Sequence, residues 1–203
     1  MIEPVVTIVD DDEAVRDSLA LMLNFRGYRT RAFDSAEACL EAWRPDWRGC
    51  LLLDLRMPGM DGLALQQALL QRGCTLPMVF LTGHGDLAHA RLALKSGAVD
   101  FLEKPYEESA LLKAVAEAIE RDMRDYATHS HVAEIAARIE RLSERENQVL
   151  GLVVAGKPNR EIAEDLGISP RTVEVFKARM MEKMQARSVP ELVRMAMEAG
   201  ILG

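Results

Sequence analysis

Five short apolar runs punctuate the first 104 residues: VVTIV at 5–9, YRTRAF at 28–33, CLLLD at 50–54, MVFLT at 78–82 and VDFLE at 99–103. Each has strand length and is bounded by polar or turn residues. Between them the spacing changes to a helical repeat. In EAVRDSLALMLNFRG, Val15, Leu19, Met22 and Leu23 share one face and Gly27 supplies a stop. DSAEACLEAW begins at Asp34 with Glu37 three residues on, the spacing of a capping box. GLALQQALLQRG, DLAHARLALKSG (86–97) and EESALLKAVAEAIERD give three more helices. Strand and helix alternating in this way predict an α/β domain, with a five-stranded parallel sheet covered by helices on both faces.

After residue 122 the strands stop. The stretch 121–142 is polar and free of Pro and Gly, with Val132, Ile135, Ile139 and Leu142 recurring at helical spacing. That seam suits a linker helix packed on its own domain or a short dimer coil, and it is shorter than the three to four heptads a coiled coil wants. The remainder reads as four helices. SERENQVLGLVVAG opens on a capping box, Ser143 and Glu146, and NREIAEDLG closes on Gly167. SPRTVEVFKARMMEKMQA carries Ser169 as N-cap and Pro170 at the first helical position, and VPELVRMAMEAGIL follows. Ile162, Ala163, Leu166, Ile168, Val173, Phe176, Met180 and Met184 have core spacing. Two helices joined by a tight Gly-containing turn, the second rich in Arg and Lys, make a helix-turn-helix. The expected organisation is a domain at 1–122, a helical linker at 123–142 and an all-α domain at 143–203.

Open parallel sheets bind ligands outside the carboxyl ends of their strands. Asp10 and Asp11 follow the first strand, Asp54 ends the third, Thr82 ends the fourth, and Lys104 and Pro105 follow the fifth. A strand order of 2-1-3-4-5 sets the first and third strands side by side, so the three carboxylates share one pocket. Close carboxylates repel unless a cation neutralises them. A hard ion such as Mg²⁺ fits, held by one or two carboxylates, waters and a phosphate. Lys104 and Thr82 add an ammonium and a hydroxyl, so the set suits a transferred phosphoryl group with Asp54 as nucleophile.

Charge sharpens the division. Residues 1–122 hold 13 basic against 20 acidic side chains, whereas 123–203 hold 12 of each. Within the second half, Arg171, Lys177, Arg179, Lys183 and Arg187 outnumber Glu174 and Glu182 in a local basic stripe. Cys39, Cys50 and Cys74 form no CxxC pair and lie among apolar residues, as expected of reduced thiols in a cytoplasmic protein. The start of the chain turns acidic after one apolar run, unlike a signal peptide, and no stretch reaches the ~20 apolar residues of a membrane span. His129 and His131 form an H-x-H without further ligands at metal spacing.

The motifs VDDDE, LLLDLRMPGMDG, LTGHGD and VDFLEKP resemble the flavodoxin-like receiver domain of two-component response regulators, and TGHGD with GAVDFLEKP resembles the FixJ subfamily. The resemblance implies Asp54 as phosphoacceptor. It implies Mg²⁺ on Asp11, Asp54 and the backbone carbonyl of Arg56, with Asp10 acting through water. Thr82 and Lys104 contact the phosphoryl oxygens, Phe101 is the aromatic switch residue, and the Lys104–Pro105 bond is cis. The block from LSEREN to AGIL resembles the LuxR/NarL-type DNA-binding domain. There the resemblance turns Glu174, Val175 and Ala178 toward base edges, with Lys177 reaching a base or a phosphate. Asn159, Arg171, Thr172, Arg179 and Lys183 hold phosphates. Some relatives carry a basic residue where this chain has Ala178, which leaves an apolar contact to a thymine methyl.

The implied protein is a transcription regulator rather than an enzyme, catalysing only its own phosphoryl transfer and slow dephosphorylation. Its implied partners are a sensor histidine kinase, double-stranded promoter DNA, a second copy after phosphorylation and RNA polymerase at the promoter, with no membrane. Dimerisation is expected through the 86–97 helix and the fifth strand. An aspartyl-phosphate phosphatase is the enzyme alternative, but its general-acid Asp two residues past the nucleophile is Arg56 here. A phosphorylation-independent DNA-binding or scaffold protein is the other alternative.

Overall fold

The computed structural model describes residues 3–83 and 100–200. The helix expected over 86–97 lies outside the described residues. The chain divides into two units, Met1–Asp125 and Tyr126–Gly203.

In the first unit β1 (Val5–Val9), β2 (Arg29–Phe33), β3 (Gly49–Asp54), β4 (Met78–Thr82) and β5 (Asp100–Glu103) form one sheet in the order β2-β1-β3-β4-β5. Every neighbouring pair is parallel, with Val9 opposite Leu53, Asp54 opposite Leu81 and Thr82 opposite Glu103. Successive strand side chains point to opposite faces, and β3 uses both. Leu51 and Leu53 enter a core with Ala36, Cys39, Leu65 and Leu69 from α2 (Ala36–Ala42) and α3 (Gly62–Gln71). Cys50 and Leu52 enter the opposite core with Leu19 and Leu23 of α1 (Glu13–Phe25) and Leu111, Val115 and Ala118 of α4 (Glu108–Glu140). All six residues of β3 are buried. At about 1.5–3 kcal/mol per buried Leu, this run fixes the strand, and with it the position of Asp54.

Local signals set the start of α1 but not that of α2. Asp12 caps α1, accepting from the amides of Ala14 and Val15. The capping box expected from Asp34 and Glu37 does not form. Ser35 is the N-cap of α2 and makes no side-chain cap bond; its hydroxyl donates to Asp34 instead. The Glu37 carboxylate crosses to the loop after β3.

The second unit is helical: the later part of α4, then α5 (Glu144–Val154), α6 (Asn159–Leu166), α7 (Pro170–Met184) and α8 (Val189–Glu198). Ser143 and Glu146 form the full capping box of α5. The core takes Ile162, Ala163, Val173, Met180 and Met184, with Leu166, Ile168 and Phe176 packed against it. Ile135 and Leu142 are buried in this same core and Ile139 lies against it. Most of the apolar seam of 132–142 is therefore spent inside its own unit. With no Pro or Gly between 107 and 142, α4 runs unbroken through the stretch read as a helix followed by a linker, and the boundary between units falls within it.

Candidate functional site

The carboxyl edge of the sheet gathers the first unit's chemistry. Asp10 follows β1 and Asp54 closes β3, and both are buried. The Lys104 ammonium, after β5, donates to Asp54 Oδ1 at 2.6 Å and to Asp10 Oδ2 at 2.8 Å. The other oxygens are also engaged: Asp54 Oδ2 accepts from the Arg56 amide at 2.7 Å and Asp10 Oδ1 from the Asp12 amide at 2.9 Å. Thr82 is buried at the end of β4, its hydroxyl donates to the Gly83 carbonyl, and its own carbonyl accepts from the Lys104 amide. The Lys104–Pro105 bond is cis. Phe101 is half-buried against the core of the α2 and α3 face.

Two carboxylates share one ammonium at this edge. Burial pushes the Asp54 carboxyl above the usual range, and the Lys104 contacts pull it back only in part. Burial also disfavours the Lys104 charge, but its hydrogen bonds to both carboxylates more than offset it and raise its pKa. The site is short of positive charge, the condition under which a cation binds.

The donors present suit a hard ion. Asp11 is exposed beside Asp10, and Asp54 and the Arg56 carbonyl add oxygen donors. Among the described residues no three His, Cys, Asp or Glu side chains enclose a metal site. Mg²⁺ does not need one, because it keeps several waters and takes one or two carboxylates. An open groove of about 450 Å³ lined by Val15, Leu19, Met22 and Tyr106 contains none of these carboxylates. The chemistry sits on the shallow strand edge.

Backbone constraints hold the edge in shape. A Cβ at Gly62 would collide with the Asp54 carbonyl oxygen, so only glycine lets α3 start so close to the acid. Two contributors were not read as site residues from sequence. Tyr106 is half-buried, and its pKa is raised chiefly by burial, with Lys104, Asp10 and Asp54 within electrostatic reach. Glu37 binds the loop after Asp54; its spacing from Asp34 looked local, and no pattern along the chain pointed across to residue 60.

In the second unit α6 and α7 are joined through Gly167, which ends α6 in the left-handed conformation. Ser169 caps α7 by accepting from the Thr172 amide, and Pro170 stands at its first turn. With Val173, Met180 and Met184 committed to the core, Arg171, Glu174, Val175, Ala178 and Arg179 are exposed. Thr172 and Lys177 are half-buried, and the Lys177 ammonium donates to Asn159 Oδ1 at 3.3 Å, tying α7 to the start of α6. Lys183 differs from the other basic residues of α7. Its ammonium lies 2.6 Å from Glu146 Oε2 and 3.2 Å from the Arg141 carbonyl.

A family model of the response regulator receiver domain matches residues 6–116, and one of bacterial regulatory proteins of the luxR family matches residues 140–196. The transcriptional regulatory protein FixJ of Rhizobium meliloti (strain 1021) is 49% identical over 201 residues, covering 98% of both chains. The chain belongs to the two-component response regulators, in the FixJ subfamily. FixJ of Azorhizobium caulinodans is 47% identical over 97% of this chain and 93% of that protein. The solved structure of the response regulator StyR matches this response regulator with a TM-score of 0.91 at 38% identity, covering 97% of this chain and 100% of that one. Full-length FixJ from B. japonicum gives 0.61 at 42% identity, covering 100% of both chains. A receiver joined to a LuxR-type DNA-binding domain makes a transcription regulator controlled by phosphorylation. Among the described residues no helix is long and apolar enough to cross a membrane.

Proposed function

We propose that Asp54 accepts a phosphoryl group from the phosphohistidine of a sensor kinase. The observation that carries this reading is the Lys104 ammonium bridging Asp54 and Asp10 at the end of a fully buried strand. An Asp54 carboxylate oxygen attacks phosphorus, an O–P bond forms, and the P–N bond to the donor imidazole breaks. Asp11, Asp54 and the Arg56 carbonyl, with Asp10 through water, would hold Mg²⁺, which would supply charge neutralisation for the phosphoryl oxygens. Lys104 gives up its carboxylate contact for a phosphoryl oxygen, and the Thr82 hydroxyl supplies a further donor. The added charge of about −1.5 to −2 draws Thr82 inward and Phe101 follows it. The surface at β5 then changes shape and pairs with a second copy, bringing two α7 helices onto successive major-groove half-sites of promoter DNA. The working division is a receiver at 1–122, a helical linker at 123–142 and a DNA-binding domain at 143–203.

Acetyl phosphate with Mg²⁺ tests the phosphoryl step. Wild type takes up one phosphoryl group, and Asp54→Asn or EDTA abolishes uptake. Labelling that persists in either case removes Asp54 or the metal from the mechanism. Sedimentation tests the switch: an identical dimer with and without phosphodonor places the dimer contact elsewhere.

A further inference from the structure

The loop from Arg56 to Asp61 follows the phosphoacceptor and contains the carbonyl assigned above to Mg²⁺. Its ends are pinned locally. The Arg56 amide donates to Asp54 Oδ2 at 2.7 Å, the Gly62 amide donates to the Leu55 carbonyl at 3.1 Å, and Asp61 Oδ1 accepts from Ala64 at 2.7 Å. Its middle is held from another element. Glu37 Oε1, on the first turn of α2, accepts the Met60 amide at 2.9 Å. The same oxygen lies 2.7 Å from where a Cβ of Gly59 would stand, and Gly59 has a φ of +76°. The carboxylate thus seats against the one residue of the turn that lacks a side chain and adopts a left-handed backbone.

We propose that Glu37 is a positioning residue of the phosphoacceptor site. Its carboxylate holds the 56–61 loop so that the Arg56 carbonyl stands ready as a metal ligand before the ion arrives. A carbonyl on an unanchored turn samples many orientations, and ordering it at the moment of binding weakens affinity. Groups that orient a metal ligand without touching the metal typically change affinity 10–100-fold when lost. The inference rests on the Mg²⁺ reading of the site.

The test is direct Mg²⁺ binding by calorimetry on the full chain, paired with amide hydrogen exchange at Met60 in metal-free protein. Glu37 is exposed, so its removal opens no cavity and the variants fold. Glu37→Ala should weaken Mg²⁺ binding about 10-fold and deprotect the Met60 amide, while exchange at Leu53 and Leu65 stays unchanged. Glu37→Gln keeps a carbonyl acceptor and should restore both. An unchanged binding constant in Glu37→Ala overturns the positioning role alone, even with Met60 deprotected. Equal weakening by Gln and Ala overturns the hydrogen bond as its basis. A wild-type protein that binds no Mg²⁺ overturns the phosphoacceptor reading itself, and this inference with it.

Discussion

The Gly49 amide donates to the Asp122 carboxylate across 2.8 Å in a buried setting. Gly49 opens β3 and Asp54 closes it, so a side chain of α4 anchors one end of the strand that carries Asp54 at the other. Burial pushes the Asp122 carboxyl up, and the Gly49 bond and Arg48 offset that only in part. A carboxyl raised in the folded state binds its proton more tightly there than in the unfolded chain. Its ionisation therefore lowers stability as pH rises from the unfolded value near ~3.9 through the folded one. Asp122→Asn keeps an acceptor without the charge and should match or exceed wild type at pH 7, with the advantage vanishing in acid. Asp122→Ala leaves a buried donor unpaired and should cost about 1–3 kcal/mol. Calorimetric unfolding across pH checks both.

The edge residues were legible because each follows an apolar run: Asp10, Asp54, Thr82 and Lys104 need only the strands to be found. The partition of contacts was not. Glu37 has the same offset from Asp34 whether it caps its own helix or reaches Met60, 23 residues away. Lys183 falls on the basic stripe, yet its partner Glu146 lies in another helix whose capping box already accounted for that glutamate. The seam of Ile135 and Leu142 fitted a dimer coil or an internal core equally well. Only the fold around it shows where those side chains are spent.

Asp54 is also a destabilising group in the absence of metal. Its carboxyl is raised by burial, so the folded state favours the protonated form, and stability falls as pH rises through the window from the unfolded to the folded pKa. In EDTA at pH 7, Asp54→Asn should therefore melt above wild type. Added Mg²⁺ should reverse the order. At a hundred times its dissociation constant it stabilises wild type by about 2.7 kcal/mol, whereas Asp54→Asn should gain much less. Differential scanning calorimetry with and without Mg²⁺ reads both effects, and a wild type indifferent to Mg²⁺ contradicts the expectation.

The Lys183–Glu146 pair acts as a brace between α7 and the start of α5. The Lys183 hydrogen bond holds the Glu146 carboxyl below its usual range, helped by the Ser143 amide. A depressed acid contributes stability that is fully present above the unfolded value near ~4.3 and is lost as pH falls through the folded one. Lys183→Ala should destabilise the second unit by about 0.5–1 kcal/mol at pH 7, because the half-exposed ammonium is screened by solvent and Glu146 keeps its Ser143 bond, with the gap to wild type closing in acid. A gap that persists below the folded pKa would show that lost packing, rather than the ion pair, is responsible.

The DNA contacts proposed for α7 are of two kinds, and salt tells them apart. Val173, Met180 and Met184 fix one face of α7 in the core, which leaves Arg179 and Val175 exposed on the remainder. An arginine on a phosphate adds affinity without reading sequence. Arg179→Ala should weaken binding to all sequences alike and reduce the slope of log affinity against log salt by about 0.9. With Val175 placed by the proposal against a base edge, Val175→Ala should shift preference at one or two base pairs by roughly 1–3 kcal/mol, leaving the slope unchanged. Lys183 serves as the internal control. Its charge is already compensated by Glu146 at 2.6 Å, so Lys183→Ala should change the slope by less than Arg179→Ala does. The measurement is a salt titration of all three full-length variants on matched and mismatched sites. If Arg179→Ala and Val175→Ala both lose affinity uniformly with the slope intact, α7 does not lie in the groove, and its basic stripe is a solvated face.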